Sequence, residues 1–234
     1  MAAINFILDS LPEAEYEWLR PQLEEVELQQ STILCPVKEP IQEVYFPITC
    51  LLSWLNFTEM GEVVEAGVTG NEGVTGVTLL LNEPISPWQT EVQLPGVAFK
   101  LSAEAFMSAL DRSVALRQRV AAFAYLKMVQ LCQSAVCNRF HNVQERLCRW
   151  LLVAADHAGG AQFALTQDIL AQMIGAGRPT VSLTTGTLQS ADLIRTNRGG
   201  ITILNRAGLE ATSCECYQIL QQALNHYLSQ KIKS

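Results

Sequence analysis

The pattern of hydrophobic and polar positions changes twice along the chain. From Ser31 to about Leu101, short β-rich runs such as "EVYFPI" and "GVTLLL" are separated by proline or glycine at intervals of roughly ten residues. This spacing is typical of a β-sandwich or a jelly roll. Ahead of these runs, "DSLPEAEYEWLRPQLEEVEL" predicts one or two short amphipathic helices, with Asp9 or Ser10 as the cap and Pro12 near the first turn.

From Ser102 to about Asn138, apolar residues recur at three- and four-residue steps, which predicts a long helix. Because apolar residues occupy more than one face, we expect one face to pack on the β-rich domain and another to pack on a second copy of the chain. An extended core helix in a monomer is the alternative. The residues assigned to the dimer interface are Leu116, Val120, Phe123, Lys127, Leu131 and Ser134.

The last third of the chain predicts a helix, a glycine turn, a second helix and a hairpin. Thr166 caps the first helix, Gly175–Gly177 makes the turn, and Arg178–Thr180 opens the second helix. "IRTNRGGITIL", with Arg198–Gly200 at its turn, predicts a β-hairpin. Together these elements predict a winged helix-turn-helix, whose second helix enters the DNA major groove. An ordinary helical hairpin would explain the glycine turn, but not the wing or the arginine at the start of the second helix.

These patterns predict an α+β fold in three parts. An N-terminal β jelly-roll sensory domain covers residues 1–101, a long dimerisation helix covers residues 102–138, and a winged helix-turn-helix domain covers residues 139–234.

The charge distribution supports this division. The formal net charge is −7, yet residues 139–206 contain seven arginines against four acidic residues, whereas residues 1–100 contain three basic residues against fifteen acidic ones. A polyanionic partner would therefore meet the basic segment. Its excess is small for nucleic-acid binding, so a dimer would have to combine two of them.

The sequence offers no sign of an enzyme or of a metal site. The histidines at 141, 157 and 226 are scattered, and neither a nucleophile elbow nor a P-loop occurs. The seven cysteines include no CxxC pair, and Cys214–Cys216 is tighter than the usual zinc knuckle. We expect reduced thiols packed as small hydrophobic side chains, with a redox switch as the alternative.

The sequence also argues against a membrane protein. No apolar run reaches the roughly 18 residues of a transmembrane helix, because Lys127, Gln130 and Gln133 interrupt the best candidate. The N-terminal segment lacks the basic region of a signal peptide. We therefore expect a soluble, cytoplasmic protein with no membrane partner.

Four segments carry a resemblance to a known family. They are "EPIQEVYFPITCLLSWL", "NRFHNVQERLCRWLL", "LTQDILAQMIGAGRPTV" and "RGGITILNRAGLEATSCECY". With these segments in this order, nearly the whole chain resembles the cyclic-AMP receptor protein/Fnr (Crp/Fnr) family of bacterial transcription regulators. The resemblance implies a dimer that senses a signal in its β-domain and relays it through the long helix to DNA.

The β-domain departs from the cyclic-nucleotide-binding members of that family. In those members a Gly-Glu pair contacts the ribose, and an Arg followed by Ser or Thr neutralises the cyclic phosphate. Here the two regions read Gly70–Gly73 ("GNEG") and Gln89–Thr90, and no basic residue lies between Lys38 and Lys100. A buried phosphate without a charged partner loses a hydrogen bond worth about 1.5–3 kcal/mol. We therefore expect no cyclic-AMP binding of the usual kind. The N-terminus also lacks the cysteine cluster of the iron–sulfur members.

The resemblance and the arginine pattern suggest two binding sites. The residues assigned to DNA binding are Arg178, Thr180, Ser182 and Thr184 for bases and Arg195 and Arg198 for phosphates. For a signal we hypothesise cyclic di-GMP, to which several family members respond. The residues assigned to it, near the joint between the two halves of the chain, are Arg117, Arg119, Arg139, Asn142 and Arg146. The alternative is that these arginines form ion pairs and phosphate contacts without a ligand.

The predicted recognition helix exposes few base-reading side chains. Arg178 is its only strong reader, and Leu183 stands where many relatives have Arg. An alternative function is therefore an adaptor that binds a second messenger and controls another transcription regulator by protein contact, with little or no DNA binding.

Overall fold

The computed structural model describes residues 5–158, 160–197 and 200–230. The strands are β1 (Glu24–Leu28), β2 (Ile33–Cys35), β3 (Glu43–Pro47), β4 (Leu51–Phe57), β5 (Val63–Thr69), β6 (Gln89–Leu94), β7 (Gly96–Ser102), β8 (Gln162–Phe163), β9 (Ile194–Asn197) and β10 (Gly200–Ile203). The helices are α1 (Phe6–Asp9), α2 (Glu13–Leu19), α3 (Ala103–Arg112), α4 (Val114–Phe140), α5 (Val143–Ala158), α6 (Gln167–Ile174), α7 (Arg178–Ser190), α8 (Arg206–Thr212) and α9 (Cys216–Ser229). Short 3-10 turns lie at Arg20–Gln22 and Val77–Leu81.

The chain forms two compact units. The first unit contains Met1–Trp54, Gly67–Val129 and Ala223–Ser234, and the second unit contains Leu55–Ala66 and Gln130–Gln222. Both α4 and α9 contribute residues to both units. The domain limits drawn from the sequence at residues 101 and 138 remain predictions.

The first unit contains the double-sheet architecture that the strand pattern predicts. One sheet has the strand order β1-β7-β3, with β7 antiparallel to both neighbours, and the other has the order β2-β6-β4-β5. Their buried residues include Phe46 and Trp54, and Trp54 stacks on Trp88 with ring centroids 4.2 Å apart. The predicted α+β fold, with a jelly-roll domain, a long helix and a winged helix-turn-helix, is confirmed.

Helix α4 has 27 residues and starts after Ser113, whose hydroxyl accepts from the Leu116 amide at 2.9 Å. By length and composition it could cross a membrane: its most apolar 18-residue window has a mean hydropathy of 1.3, and 28% of that window is buried. The sequence analysis judged this stretch too interrupted to span a bilayer. In the structure, Lys127, one of the polar residues that interrupt this stretch, is buried.

Lys127 is an internal counterion of the first unit. Its Nζ lies 3.0 Å from Glu72 Oε1, and the two side chains are only 5% and 6% exposed. The same ammonium donates to the Val68 carbonyl and lies 4.7 Å from the centre of the Phe123 ring. The cation that the sequence of the β-domain lacks is thus supplied by the long helix.

This arrangement corrects the dimer face predicted on α4. Leu116, Val120 and Phe123 have no exposed surface and Lys127 is 4% exposed, so these side chains pack inside the first unit. A side chain without exposed surface cannot contact a second copy. The backbone of the β-domain packs tightly against the same face of α4 at Gly73. A Cβ atom added to Gly73 would lie 2.1 Å from the Phe123 ring.

The second unit contains the predicted winged helix-turn-helix. Strands β8, β10 and β9 form its sheet, with β10 antiparallel to both neighbours. Helix α5 starts with a capping box: the Asn142 amide donates to Glu145 Oε2 at 2.8 Å, and the Glu145 amide donates to Asn142 Oδ1 at 3.0 Å.

The tip of the β4–β5 hairpin belongs to the second unit. The Trp150 indole of α5 donates to Glu65 Oε1 at 2.8 Å, and both side chains are buried. The Ser134 hydroxyl donates to the Ala66 carbonyl at 2.9 Å, so Ser134, also assigned to the dimer interface, is half-buried on this hairpin. Leu131, the remaining dimer residue, is likewise half-buried.

Candidate DNA-binding surface and adjoining cavity

Local sequence positions the two helices of the helix-turn-helix. The Thr166 hydroxyl caps α6 by accepting from the Ile169 amide at 3.2 Å. Gly175 ends α6 in the left-handed conformation, with φ of 57°, which glycine adopts at little cost. Helix α7 then begins at Arg178, with Pro179 in its first turn.

Three of the four residues predicted to contact bases lie exposed on α7. Arg178, Thr180 and Ser182 are exposed. Thr184 is 9% exposed, and its hydroxyl donates to the Thr180 carbonyl at 2.8 Å. Because the Thr184 side chain is buried, its prediction as a base contact is corrected.

Leu183, expected from the sequence to be exposed but not assigned to DNA binding, shares this face with two residues that sequence reasoning missed. Leu183 is 74% exposed, and Gly186 and Thr187 follow it at three- and four-residue steps. That spacing was the signal that could have identified them. Gln189 is occupied elsewhere, because its Oε1 accepts from the Thr196 amide and hydroxyl at 2.9 and 2.7 Å, joining α7 to the wing.

Two arginines accompany this face. Arg178 lies 3.2 Å from Asp168, but both side chains are more than half exposed, so the pair contributes little and Arg178 can exchange it for another anion. Arg195 is exposed on β9, opposite Thr202 of β10. Arg198, assigned to phosphate contacts, lies outside the described residues.

A cavity of about 740 Å³ lies beside the helix-turn-helix turn, within the second unit. It is lined by the β4–β5 hairpin, by Asn138 and Arg146, and by the turn from Gly175 to Gly177. The hairpin packs closely on the turn, since a Cβ at Gly175 would lie 3.0 Å from Val64 Cγ2. A molecule in this cavity would therefore touch the segment that positions α7.

Of the five residues predicted to bind a signal, Arg146 lines this cavity. It donates to Asn138 Oδ1 at 3.1 Å, and its buried Nε has no hydrogen-bond partner within the described parts of the chain. Asn142 serves as the cap of α5, and the exposed Arg139 lies with its guanidinium 5.4 Å from the centre of the Phe140 ring.

The other two predicted ligand residues belong to the first unit and have partners there. Arg119 is 5% exposed and donates to the Gln230 carbonyl at 2.7 Å. Arg117 pairs with Asp111 at 2.6 Å. Each of these two arginines is thus engaged within the first unit.

A small cavity of the β-domain is lined in part by Thr90. The cavity that includes Thr90 and Trp88 has a volume of about 10 Å³, enough for a single water. Glu72 accepts from the Gly70 amide at 3.0 Å and pairs with Lys127. The expectation that cyclic AMP is not bound in the usual way stays a prediction.

A separate cluster of metal-binding residue types lies in the second unit. Cys137 and His141 near the end of α4 meet Cys214 and Cys216 near the start of α9. The pKa of the Cys137 thiol is lowered to about 5, first because Cys214 hydrogen-bonds to it and then because Arg149 is positively charged. The same Cys137 raises the pKa of His141. The sequence analysis found no metal site, because the two halves of this cluster are far apart along the chain.

Comparison with known proteins supports the assignment of the second unit. The family model of the Crp-like helix-turn-helix domain matches residues 145–212. No curated protein sequence matches this chain.

Solved structures match almost the whole fold at low sequence identity. FixK2 from Bradyrhizobium japonicum is 16% identical, with a TM-score of 0.70, over 82% of this chain and 98% of that one. A Crp/Fnr-family regulator from Eubacterium rectale is 14% identical, with a TM-score of 0.69, over 88% and 96% of the two chains. CLP from Xanthomonas campestris, described as a c-di-GMP-responsive global regulator, is 14% identical, with a TM-score of 0.66, over 82% and 99%.

Proposed function

We propose that this chain, which carries a Crp-like helix-turn-helix domain on the fold of the Crp/Fnr regulators, regulates transcription by binding DNA as a homodimer. The observation that carries the proposal is the exposed face of α7 with Arg178 at its start and Arg195 on the adjoining wing. We further propose that the protein acts in the cytoplasm and is not an enzyme.

The chemistry of α7 defines how DNA would be bound. Arg178 can form a bidentate contact with guanine, whereas Ser182 and Thr187 make weaker contacts, and Leu183 offers an apolar surface suited to a thymine methyl group. Arg195 lies where a wing contacts phosphates. Most of the affinity would therefore come from phosphate contacts, and the sequence preference would be modest.

DNA binding is tested by fluorescence anisotropy with the protein's own promoter region and with random duplex DNA, over a range of salt concentrations. Arg195→Ala should weaken binding to both DNAs and reduce the salt slope by about one, whereas Arg178→Ala should cost about 1–3 kcal/mol on the preferred site alone. Arg112→Ala, which removes the same charge from the first unit, is the matched control. Equal binding by all three variants and the unmodified protein would refute this surface.

The proposed dimer uses a stripe of exposed residues on α4. Tyr125 and Met128 are 62% and 63% exposed, although both are large and apolar. Exposed residues follow one another at alternating steps of three and four, which is the spacing of a coiled-coil seam. The stripe consists of Gln118, Ala121, Tyr125, Met128, Cys132, Ala135 and Arg139. We propose this face as the dimer interface in place of the buried face predicted from the sequence. Contact with a second copy of the chain accounts for the exposed apolar residues better than insertion into a bilayer does, because the charged Arg139 belongs to the same stripe.

For the signal, we propose that the cavity beside the helix-turn-helix turn is the sensory site and that cyclic di-GMP is its ligand. The cavity has the volume of ordinary small-molecule sites. It contacts both the β4–β5 hairpin and the turn before α7, so a bound molecule that favours one position of the turn would alter DNA binding. Arg146 supplies a cation and an unpaired donor there. The similar protein CLP is c-di-GMP responsive.

Isothermal titration calorimetry tests this ligand. Cyclic di-GMP should bind the unmodified protein and the Arg112→Ala control, and should bind Arg146→Ala at least tenfold more weakly because a charge-assisted contact is lost. Cyclic AMP should give no heat. An absence of heat with cyclic di-GMP would refute the ligand while leaving the DNA measurements unaffected.

The adaptor function remains a second candidate because of one observation. Leu183 lies in a shallow groove on the surface of α7, lined also by Pro179, Ser182, Gly186, Thr187 and Ser190. Small and apolar side chains of this kind suit a protein partner. Failure to bind any duplex at low salt, with cyclic di-GMP binding intact, would favour the adaptor over the DNA-binding regulator.

A further inference from the structure

Four side chains with metal-binding atoms converge near the end of the long helix. Cys137 lies in the last turn of α4, and His141 directly follows that helix, with its amide donating to the Cys137 carbonyl at 3.1 Å. Cys216 is the first residue of α9, and Cys214 lies two positions before it. Their ligand atoms all lie within 4.8 Å of one another. Cys137 Sγ lies 3.6 Å from Cys214 Sγ, and Cys216 Sγ lies 3.4 Å from His141 Nδ1.

Two of these separations are close to the edges of a tetrahedron around one metal ion. A tetrahedral zinc ion with Zn–S of about 2.3 Å and Zn–N of about 2.0–2.1 Å implies S···S edges of about 3.8 Å and S···N edges of about 3.6 Å. Three cysteines and one histidine form one of the ordinary ligand sets of structural zinc. The Sγ–Sγ distance of 3.6 Å and the Sγ–Nδ1 distance of 3.4 Å are slightly shorter than these edges, and every other pair of ligand atoms lies within 4.8 Å.

The surroundings of the four side chains also suit a closed metal site. The exposed fractions of Cys137, Cys214 and Cys216 are 0%, 4% and 0%, and the His141 side chain is 12% exposed. His141 Nε2 lies 3.2 Å from Glu215 Oε2, which would hold the ring with Nδ1 towards the thiols.

A nearby amide completes these surroundings. Gln133 Nε2 donates to Cys216 Sγ at 3.1 Å, the kind of contact that stabilises a metal-bound thiolate. Contacts of this type orient metal ligands in known sites, and hydrophobic packing of thiols would not require them.

Other uses of the four residues fit less well. A disulfide between Cys137 and Cys214 needs its sulfurs about 2.05 Å apart and would leave Cys216 and His141 without a role. An iron–sulfur cluster places two or more irons between its ligands and so holds them farther apart than a single ion does.

We propose that Cys137, His141, Cys214 and Cys216 form a structural zinc site. All four coordination positions are filled by protein, so the ion would have no open position for a substrate. It would link the last turns of α4 to the segment between α8 and α9, within the unit that carries the recognition helix. The three thiolates and Zn²⁺ together carry one negative charge, which Arg149 partly offsets.

The metal content of the purified full-length protein tests the site directly. Inductively coupled plasma mass spectrometry should find about one zinc per chain. Cys137→Ser and Cys216→Ser should each lower this to less than about one-tenth. Cys132→Ser, on the same helix but exposed, should keep the zinc. Glu215→Gln should keep the zinc but weaken its affinity about 10–100-fold in a chelator competition, because it removes only the carboxylate that orients His141.

Cobalt substitution separates loss of the site from loss of the fold. The unmodified protein, stripped of metal and reconstituted with Co²⁺, should show the d–d bands of a tetrahedral ion and sulfur-to-cobalt charge-transfer bands. His141→Cys should keep a tetrahedral spectrum, shifted towards that of four thiolates. Unmodified protein without zinc and without cobalt bands, protein that contains iron and sulfide, or a Cys137–Cys214 disulfide found by non-reducing peptide mapping would each overturn the proposal.

Discussion

Replacing Lys127 by methionine tests how the first unit neutralises its buried carboxylate. Methionine keeps most of the aliphatic volume but removes the ammonium that pairs with Glu72 at 3.0 Å and donates to the Val68 carbonyl. With both side chains about 5% exposed, Glu72 would become a buried charge without its counterion. Breaking one side of a buried ion pair costs about 3–5 kcal/mol of unfolding free energy.

Urea-induced unfolding followed by tryptophan fluorescence measures this loss. Trp54 is a local probe, since its ring lies 5.8 Å from Lys127 Nζ. At about 2–4 °C per kcal/mol, the thermal midpoint of the first unit should fall by about 6–20 °C. The double variant Lys127→Met with Glu72→Gln should recover most of the stability, because the glutamine oxygen can still accept from the Gly70 amide.

Lys100→Met is the matched control in the same unit. Lys100 pairs with Glu24 and Glu43 at 3.0 and 3.2 Å, but its side chain is 24% exposed, so we expect a cost of only about 0–1 kcal/mol. Equal costs for Lys127→Met and Lys100→Met would refute the assignment of Lys127 as an internal counterion. A Lys127→Met protein of normal stability that no longer dimerises would instead restore Lys127 to the dimer interface.

Three further predictions concern the helices. Met128→Glu should convert the dimer to monomers in analytical ultracentrifugation, because it places like charges at the proposed seam; an unchanged dimer would contradict that seam. Mild oxidation should produce a disulfide-linked dimer through Cys132, and this product should be absent in Cys132→Ser. Cys148 should not take part, because burial raises the pKa of its thiol to about 12 and it therefore stays protonated and unreactive at pH 8. Cross-linking through Cys148 in peptide maps would disprove this. Thr166→Ala should lower the unfolding free energy of the second unit by about 1 kcal/mol in urea denaturation, since the Ile169 amide loses its cap, and Thr166→Ser should restore it.

The sequence by itself determined the main elements and their order, although the single helix predicted from Ser102 to about Asn138 is two helices, α3 and α4, separated at Ser113. Thr166 as the cap, Gly175 in the turn and Pro179 in the first turn of α7 act through neighbouring backbone atoms, so their effects can be predicted without knowing the rest of the fold. The same holds for the strand periodicity of the first hundred residues, which predicted two sheets correctly.

Only the tertiary structure decided which face of each helix is buried. Helix α4 has apolar residues on several faces, and the choice between them depends on Glu72, a residue of the β-domain that needs Lys127 as its counterion. On α7, Thr184 is polar and was predicted to face DNA, yet it is buried because its hydroxyl bonds to the backbone one turn earlier and so tolerates an interior position.

The cluster of Cys137, His141, Cys214 and Cys216 shows the same limit most clearly. Each half offers only two donor atoms, and Cys137 and Cys214 are 77 positions apart along the chain. The sequence determined which donor atoms exist, but folding of α4 against α9 decided that they meet. A metal ion recognises the distances between donor atoms in space, and these distances exist only once the helices have packed.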